Sequence, residues 1–265
     1  MVGRLLLAAG LTLCCGGVLA AAAPQTVVLE ELTWTELRDA IHAGKTTIIV
    51  PVGGTEQNGP AIALGKHNTR VRLLSTRIAQ TLGNALVAPV IAYVPEGSVN
   101  PPTGHMRFAG TITLPDAAFE QMIEYAARSF RSHGFQHIVL LGDHGGYQKS
   151  LQAVAGRLNQ QWGSTQVRVL AVTEYYRAQA DYAALLRQRG YSEAEIGVHA
   201  GLADTALTLA VDPQLVRPER LQQPLAAADG VQGDPRRATA EIGQAGVDLI
   251  VTRTVEAIRK AIARH

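Results

Sequence analysis

Thr46-Thr47-Ile48-Ile49-Val50 runs straight into Pro51-Val52-Gly53-Gly54-Thr55-Glu56-Gln57-Asn58-Gly59-Pro60, and on to Leu64-Gly65-Lys66-His67. The apolar, β-branched run reads as a buried strand. Glycines and prolines then stop it, leaving a carboxylate, a carboxamide and an imidazole in the loop at its carboxyl end. Ligands of open α/β sheets bind at that end. Polar groups collected there point to a site, and Glu56 with His67 points to a metal.

Working outward, strands alternate with helices. Thr33-Trp34-Thr35-Glu36 has the form of a capping box opening a short helix that Gly44 ends. Asn68 to Leu82 is helical by the spacing of Val71, Leu74, Ile78 and Leu82. Strands are predicted at Leu86 to Val94, Phe108 to Leu114, His137 to Leu141 and Val167 to Val172, with a loop from Glu96 to Arg107. Helices are predicted from Pro115-Asp116 to about His133, from Gln148 to about Trp162, and again beyond Gly233. Val247, Ile250, Val251, Val255, Ile258 and Ile262 form the packing stripe of that last segment. The alternation predicts an α/β fold with a mostly parallel sheet covered on both faces.

The chain has 265 residues, 47% of them apolar, enough for a substantial core. A formal charge of +2 and no long run of one sign give no reason to expect nucleic-acid binding. Arg4, the apolar run Leu5 to Leu13 and the small residues to Ala23 have the order of a secretory signal peptide over residues 1–23. An uncleaved membrane tether and lipid attachment at Cys14 or Cys15 are the alternatives. Residues 24–265 then form one domain, exported to the periplasm or secreted. Both cysteines lie in the leader, so the mature domain has no disulfide and no thiolate ligand or nucleophile.

Three segments, read as strand ends, hold the candidate groups: Glu56 to His67; Asp143-His144 with Gly145 and Gly146; and Val198-His199-Ala200-Gly201-Leu202-Ala203-Asp204-Thr205. Carboxylate oxygen with imidazole nitrogen suits zinc, manganese or iron. Tyr147 follows the His144 turn and is placed to shape the pocket. His42, His133, His137 and His265 read as structural or exposed.

Taken together, these residues resemble the creatininase family. The matching pieces are Pro51 to Gln57, Gly59-Pro60, Leu64, Phe108-Ala109-Gly110-Thr111-Ile112-Thr113-Leu114, His133-Gly134-Phe135, His144-Gly145-Gly146 and His199-Ala200-Gly201. They stand in family order from about Leu32 to about Pro218. The resemblance implies a three-layer α/β/α sandwich, a one- or two-metal site, hydrolysis of amide or cyclic-amide C–N bonds, and assembly into a homo-oligomer. It also brings His105 into a segment preceding the Phe-x-Gly-Thr stretch, where it either closes over substrate or is simply a solvated loop residue.

The departures from the family pattern bear on the metal. Asn58 stands where the family has a histidine ligand, and His67 where it has an aspartate bridging two metals. Gly142-Asp143 replaces Asn-Gly, and Leu202 and Asp204 replace two glutamates. A neutral imidazole presents one lone pair and cannot bridge two cations as a carboxylate does. The expected centre is therefore a single ion held by Glu56, His67, His144 and Asp204, zinc first, then manganese or iron. His199 is expected to move protons, with Asp143 a further base or ligand that could recover a second ion. Asn58, His105, Gly145 and Tyr147 are expected around the substrate. The function expected is an exported metal-dependent amidohydrolase. The competing expectations are an inactive relative that binds a small molecule or metal in the periplasm, and a structural oligomer with a vestigial pocket.

Overall fold

The structure is a computed structural model and describes residues 25–264. The leader expected over residues 1–23 and His265 lie outside the described residues. Helix α1 (Trp34–His42) opens with the expected capping box: Thr33 accepts from the Glu36 N–H, and Glu36 accepts from the Thr33 N–H. Strand β1 (Thr47–Val52) follows, then α2 (Lys66–Leu82) and β2 (Ala85–Val87). Next come α3 (Asp116–Ser132), β3 (His137–Gly142), α4 (Gln148–Trp162) and β4 (Arg168–Ala171). The remaining helices are α5 (Glu174–Gln188), α6 (Glu193–Ile196), α7 (Leu202–Val211), α8 (Pro218–Leu221) and α9 (Ala240–Ile262).

The four strands form one parallel sheet in the order β2-β1-β3-β4. Side chains alternate across it, as the two-residue period of a strand requires. Ile49, Val87, Val139 and Leu141 face a layer built from α2, α5, α7 and α9. Ile48, Val50, Val52, Leu86, Ile138 and Leu140 face a layer built from α1, α3 and α4. The result is the expected α/β/α sandwich. In α9 the predicted stripe buries Val247, Ile250, Val255 and Ile258, with Val251 and Ile262 at its margin.

Two predicted strands differ. The one expected from Leu86 to Val94 stops at Val87, with a single further bridge from Ile91 to Val52. Pro89 has no N–H for a ladder. Phe108 to Leu114 is not a strand. A 3-10 turn, Gly104–Arg107, precedes it, and Gly110 at φ +88° bends it. Its Ile112 and Leu114 N–H groups donate instead to loop carbonyls, those of Thr55 and Val94. The third candidate segment is likewise not a strand end: His199 lies between α6 and α7.

The topology fixes where a ligand goes. From β1 the chain crosses through α2 on one face to reach β2, and later strands add on the other side of β1 with α3 and α4 on the opposite face. The reversal opens a crevice at the carboxyl ends of β1 and β3. Those ends are paired, Val52 against Gly142. Glu56 follows the first end and Asp143-His144 the second.

Candidate metal centre

The loop after β1 is built to present Glu56. Gly53 and Gly54 have no room for a side chain: a Cβ on Gly53 would lie 2.2 Å from Asn68 Oδ1, and one on Gly54 2.8 Å from Glu96 Oε1. Asn68 Oδ1 accepts from the Gly54 N–H at 2.9 Å. Asn58 donates through Nδ2 to the carbonyls of Glu56 and Ala63, closing the loop on itself.

Glu56 is fully buried, and its two carboxylate oxygens face different surroundings. Oε1 accepts from His67 Nε2 at 2.8 Å, with Lys66 Nζ at 3.7 Å. Oε2 has no hydrogen-bond partner and faces His105 Nε2 at 3.3 Å and His144 Nε2 at 3.5 Å. Glu96 comes in from the other side, buried, with neither oxygen hydrogen-bonded and Oε1 3.7 Å from His144 Nδ1. Its loop is held by the Phe108–Leu114 segment: the Glu96 N–H donates to Thr113 Oγ1, which donates to the Gly97 carbonyl. Glu56, Glu96, His105 and His144 each offer a ligand atom, all within 4.8 Å of one another. The two glutamate side chains are sealed from solvent, while those of His105 and His144 are 25% and 20% exposed and form the mouth.

The other pole of the site is cationic. Lys66 and Arg70 are buried on the inward face of α2. Lys66 Nζ bonds Asp204 Oδ2. Arg70 Nε donates to Asp143 Oδ2 and its Nη1 to Asp204 Oδ1, both at 2.8 Å. Asp204 also accepts from the Ala200 N–H at 3.0 Å, in the first turn of α7 where the helix dipole favours an anion. Asp143 is filled by Arg70, by the Tyr175 hydroxyl at 2.7 Å and by His67 Nδ1 at 2.6 Å. Both ring nitrogens of His67 thus lie against carboxylates, with Arg70 Nη2 also 3.1 Å from Nδ1.

This changes the expected ligand set. Of Glu56, His67, His144 and Asp204, only Glu56 and His144 converge on unpartnered oxygens. His67 spends both nitrogens on Glu56 and Asp143, and Asp204 is saturated by Lys66, Arg70 and the Ala200 N–H. Asp143, expected as a base, has no face toward the mouth and instead positions His67 and Arg70. Asn58 pins the loop, while Tyr147, buried, sets its hydroxyl against the carbonyls of Val52 and Gly53 and accepts from the His144 N–H. Gly145 is a close approach, since a Cβ there would lie 2.5 Å from the Tyr176 hydroxyl.

Glu96, Lys66 and Arg70 are the site residues that sequence reasoning passed over. Lys66 and Arg70 carried one signal. Two cations sit at the start of a helix, where the dipole disfavours them, on the side continued by Val71 and Leu74. Glu96, between Pro95 and Gly97 in a loop, carried none.

Electrostatics divide the same way. Burial pushes the Glu56 carboxyl up, but the hydrogen bond and charge of His67, with Lys66, outweigh it and hold it far below the usual range. Burial, the charge of the neighbouring Glu56 and a hydrogen bond to its carboxylate push Glu96 up to about 9, so without a cation the two carboxyls share a proton, and no other protein donor reaches Glu56 Oε2 or the Glu96 oxygens. Burial lowers His144 to about 3 and His199 to about 4, and it lowers His105 as well. Without a cation, the pocket thus keeps a proton on Glu96 and none on these imidazoles at neutral pH. Unpartnered, buried carboxylate oxygens beside neutral imidazoles are the donor set a divalent ion requires.

His199 stands beside this pocket. Its Nε2 lies 2.9 Å from the Gln57 carbonyl oxygen and 3.0 Å from the Gln57 side-chain nitrogen; in the tautomer that donates to the carbonyl, Nδ1 carries the lone pair, 3.6 Å from Glu56 Oε1. The Gln57 side chain donates to His105 Nδ1 at 3.0 Å and to the Gly230 carbonyl at 3.1 Å. Beyond His199 lies a cavity of about 380 Å³, lined by Tyr176, Ala180, Ala183, Val198, Ala203 and Leu207, among others. Tyr176 and His199 join its wall to the metal pocket.

Residues 30–258 match the model of the family described as creatinine amidohydrolase, creatininase. The chain is 27% identical over 259 residues to the creatinine amidohydrolase of Pseudomonas putida, covering 89% of this chain and 97% of that protein. It is 26% identical over 227 residues to the mycofactocin precursor peptide peptidase of Mycolicibacterium smegmatis, covering 77% and 81%. Among solved structures, a manganese creatininase superposes with a TM-score of 0.74 at 25% identity, over 90% of this chain and 99% of that one. A mutant creatininase of Zn-Zn type gives 0.71 at 25% identity, with the same coverage.

Proposed function

This chain belongs to the creatininase family, and on that premise we propose that it is a hydrolase dependent on a single divalent ion, opening an amide or cyclic-amide C–N bond of a small molecule. The observation that carries the reading is the convergence of three buried carboxylate oxygens without partners, Glu56 Oε2 and both of Glu96, beside His105 and His144. Two carboxylates and two imidazoles suit zinc first, then manganese or iron. Bound there, the ion would polarise the scissile carbonyl and lower the pKa of water toward neutrality.

The protein's own groups supply the rest. Glu56 is kept ionised and oriented by His67, which Asp143 in turn fixes. Glu96 would give up its proton and serve as the second anionic ligand. His199 is held in one tautomer by the Gln57 carbonyl, so its Nδ1 lone pair takes the proton of the attacking water and returns it to the leaving nitrogen. Burial, with the charge of Lys66, keeps that imidazole uncharged at neutral pH, its lone pair free. The partly exposed His105 and His144 leave the mouth open to substrate, and the cavity beyond His199 receives its apolar part. Because relatives are named for creatinine and for a precursor peptide, both lactams and short peptide amides belong among the compounds to be tried.

Export rests on the leader pattern at residues 1–23, and homo-oligomer assembly on the family resemblance. N-terminal sequencing of the mature protein and sedimentation analysis test the two. For the main reading, purified protein is stripped, reloaded with zinc or manganese, assayed for ion content and offered lactams, ureas and short peptides. One ion per chain, lost in His144→Ala, with hydrolysis of a panel member, is the expected result. Folded protein that takes up no divalent ion overturns the reading.

A further inference from the structure

Glu56 is shared between two cation positions, only one of which calls for a metal. Its Oε2 faces the pocket of Glu96, His105 and His144, while its Oε1 faces the ammonium of Lys66 at 3.7 Å. That ammonium is about 1% exposed and is also bonded to Asp204, which Arg70 holds from the other side. The ammonium thus lies between two carboxylates, one of which also serves the neighbouring ion pocket, and in a two-metal centre a shared carboxylate likewise faces two cations. Here the cation is covalently tethered.

We propose that Lys66 is a built-in substitute for a second divalent ion: it occupies the site between Glu56 Oε1 and Asp204, limits the centre to one exchangeable metal, and weakens the hold on that metal through the shared carboxylate. The inference rests on the metal-dependent reading above and concerns a positioning residue. Three features favour an ion-like role over a routine ion pair. Lys66 lies at the start of α2, against the helix dipole, so its place is not explained by local helix chemistry. It meets two carboxylates at once, as a metal does. Arg70 already forks between Asp204 and Asp143, so Asp204 would not be left unpaired without Lys66.

The test counts ions and needs no substrate. Wild type, Lys66→Ala and Lys66→Met are stripped with chelator, titrated calorimetrically with zinc and with manganese, and analysed for bound metal after gel filtration. Wild type is expected to hold one ion per chain. Lys66→Ala, which removes charge and bulk together, is expected to hold two. Lys66→Met, which keeps the bulk, is expected to hold one, bound roughly tenfold tighter or more because the opposing charge is gone. Two ions in wild type, or one ion in Lys66→Ala, overturns the proposal and leaves the hydrolase reading standing. No ion in wild type sinks that reading first. Should Lys66→Ala fail to fold, Lys66→Met decides, and an affinity equal to wild type overturns the proposal.

Discussion

Glu96→Gln is the substitution that most directly probes the centre, because burial and the adjacent Glu56 favour the protonated form of that carboxyl. Burial and the adjacent Glu56 raise it to about 9 in the ion-free site. At pH 7 such a group is about 99% protonated, so an ion that needs the carboxylate must expel the proton, at a cost of about 2.7 kcal/mol. The other members of the pocket release none: Glu56 is already ionised, and burial keeps His105 and His144 neutral, the latter at about 3. The expected affinity of the wild type for zinc or manganese therefore rises about tenfold per pH unit, roughly 100-fold from pH 6 to pH 8. In Glu96→Gln there is no proton to expel and no second anion. The variant should bind more weakly at every pH and show no slope, so the gap widens toward pH 8. Competition against a chromogenic chelator at pH 6, 7 and 8 measures both quantities. A variant that keeps the wild-type slope would refute the assignment of the proton, and a wild type without slope would refute the coupling.

The same carboxyl fixes the sign of a stability effect. Its folded-state pKa of about 9 lies above the ordinary 4.5. Across that window the folded chain binds more protons than the unfolded one, so ion-free protein should lose stability as pH rises from about 5 to 9. The slope is at most about 1.4 kcal/mol per unit. Glu96→Gln, or saturation with zinc, should flatten it in urea titrations.

Four further outcomes follow from single residues. His199→Ala should lower kcat by roughly 10²- to 10⁴-fold with ion content unchanged, because His199 lies outside the ligand set; loss of the ion as well would show that its role is structural. His67→Ala should weaken zinc binding by about 10- to 100-fold, as loss of an orienting group does, against abolition in His144→Ala; equal losses would return His67 to the ligands. Arg70→Met leaves Asp143 and Asp204 with an unbalanced buried charge and should cost about 3–5 kcal/mol in urea unfolding. Gly243→Ala would set a Cβ 1.8 Å from the Ala206 carbonyl oxygen, forcing α9 off α7; a loss of about 3 kcal/mol is expected, and wild-type stability would mean that the helices pack differently.

What could be read from the chain without coordinates was local chemistry and its order. The capping box at Thr33, the apolar strands at Thr47 and His137, and the stripe of α9 each depend on neighbours a few residues away, and each lies where its pattern put it. Glu56 and His144 were legible because strand-end loops at a topological switch point face a common crevice. The remainder of the site depends on which atoms are already taken. His67 looked free to ligate until Asp143 and Glu56 were found against its two nitrogens. Asp204 looked free until Lys66 and Arg70 closed on it. A carboxylate's identity is written in the sequence, but its spare lone pairs are not, because those of Asp143 and Asp204 are spent largely on Lys66, His67 and Arg70, far away along the chain. Glu96 shows the converse: an acidic residue in a Pro- and Gly-rich loop resembles a solvated turn, yet it is buried by a segment, Phe108 to Leu114, that was expected to be a strand. Had that segment paired as a strand, its N–H groups would have joined a ladder; donating to Thr55 and Val94 instead, it lies against both loops that carry the glutamates. The misread strand and the missed candidate ligand are therefore one error, and Thr113→Val tests the link: losing the hydroxyl that holds the Glu96 loop should weaken zinc binding without touching any candidate ligand, whereas unchanged affinity would separate the two.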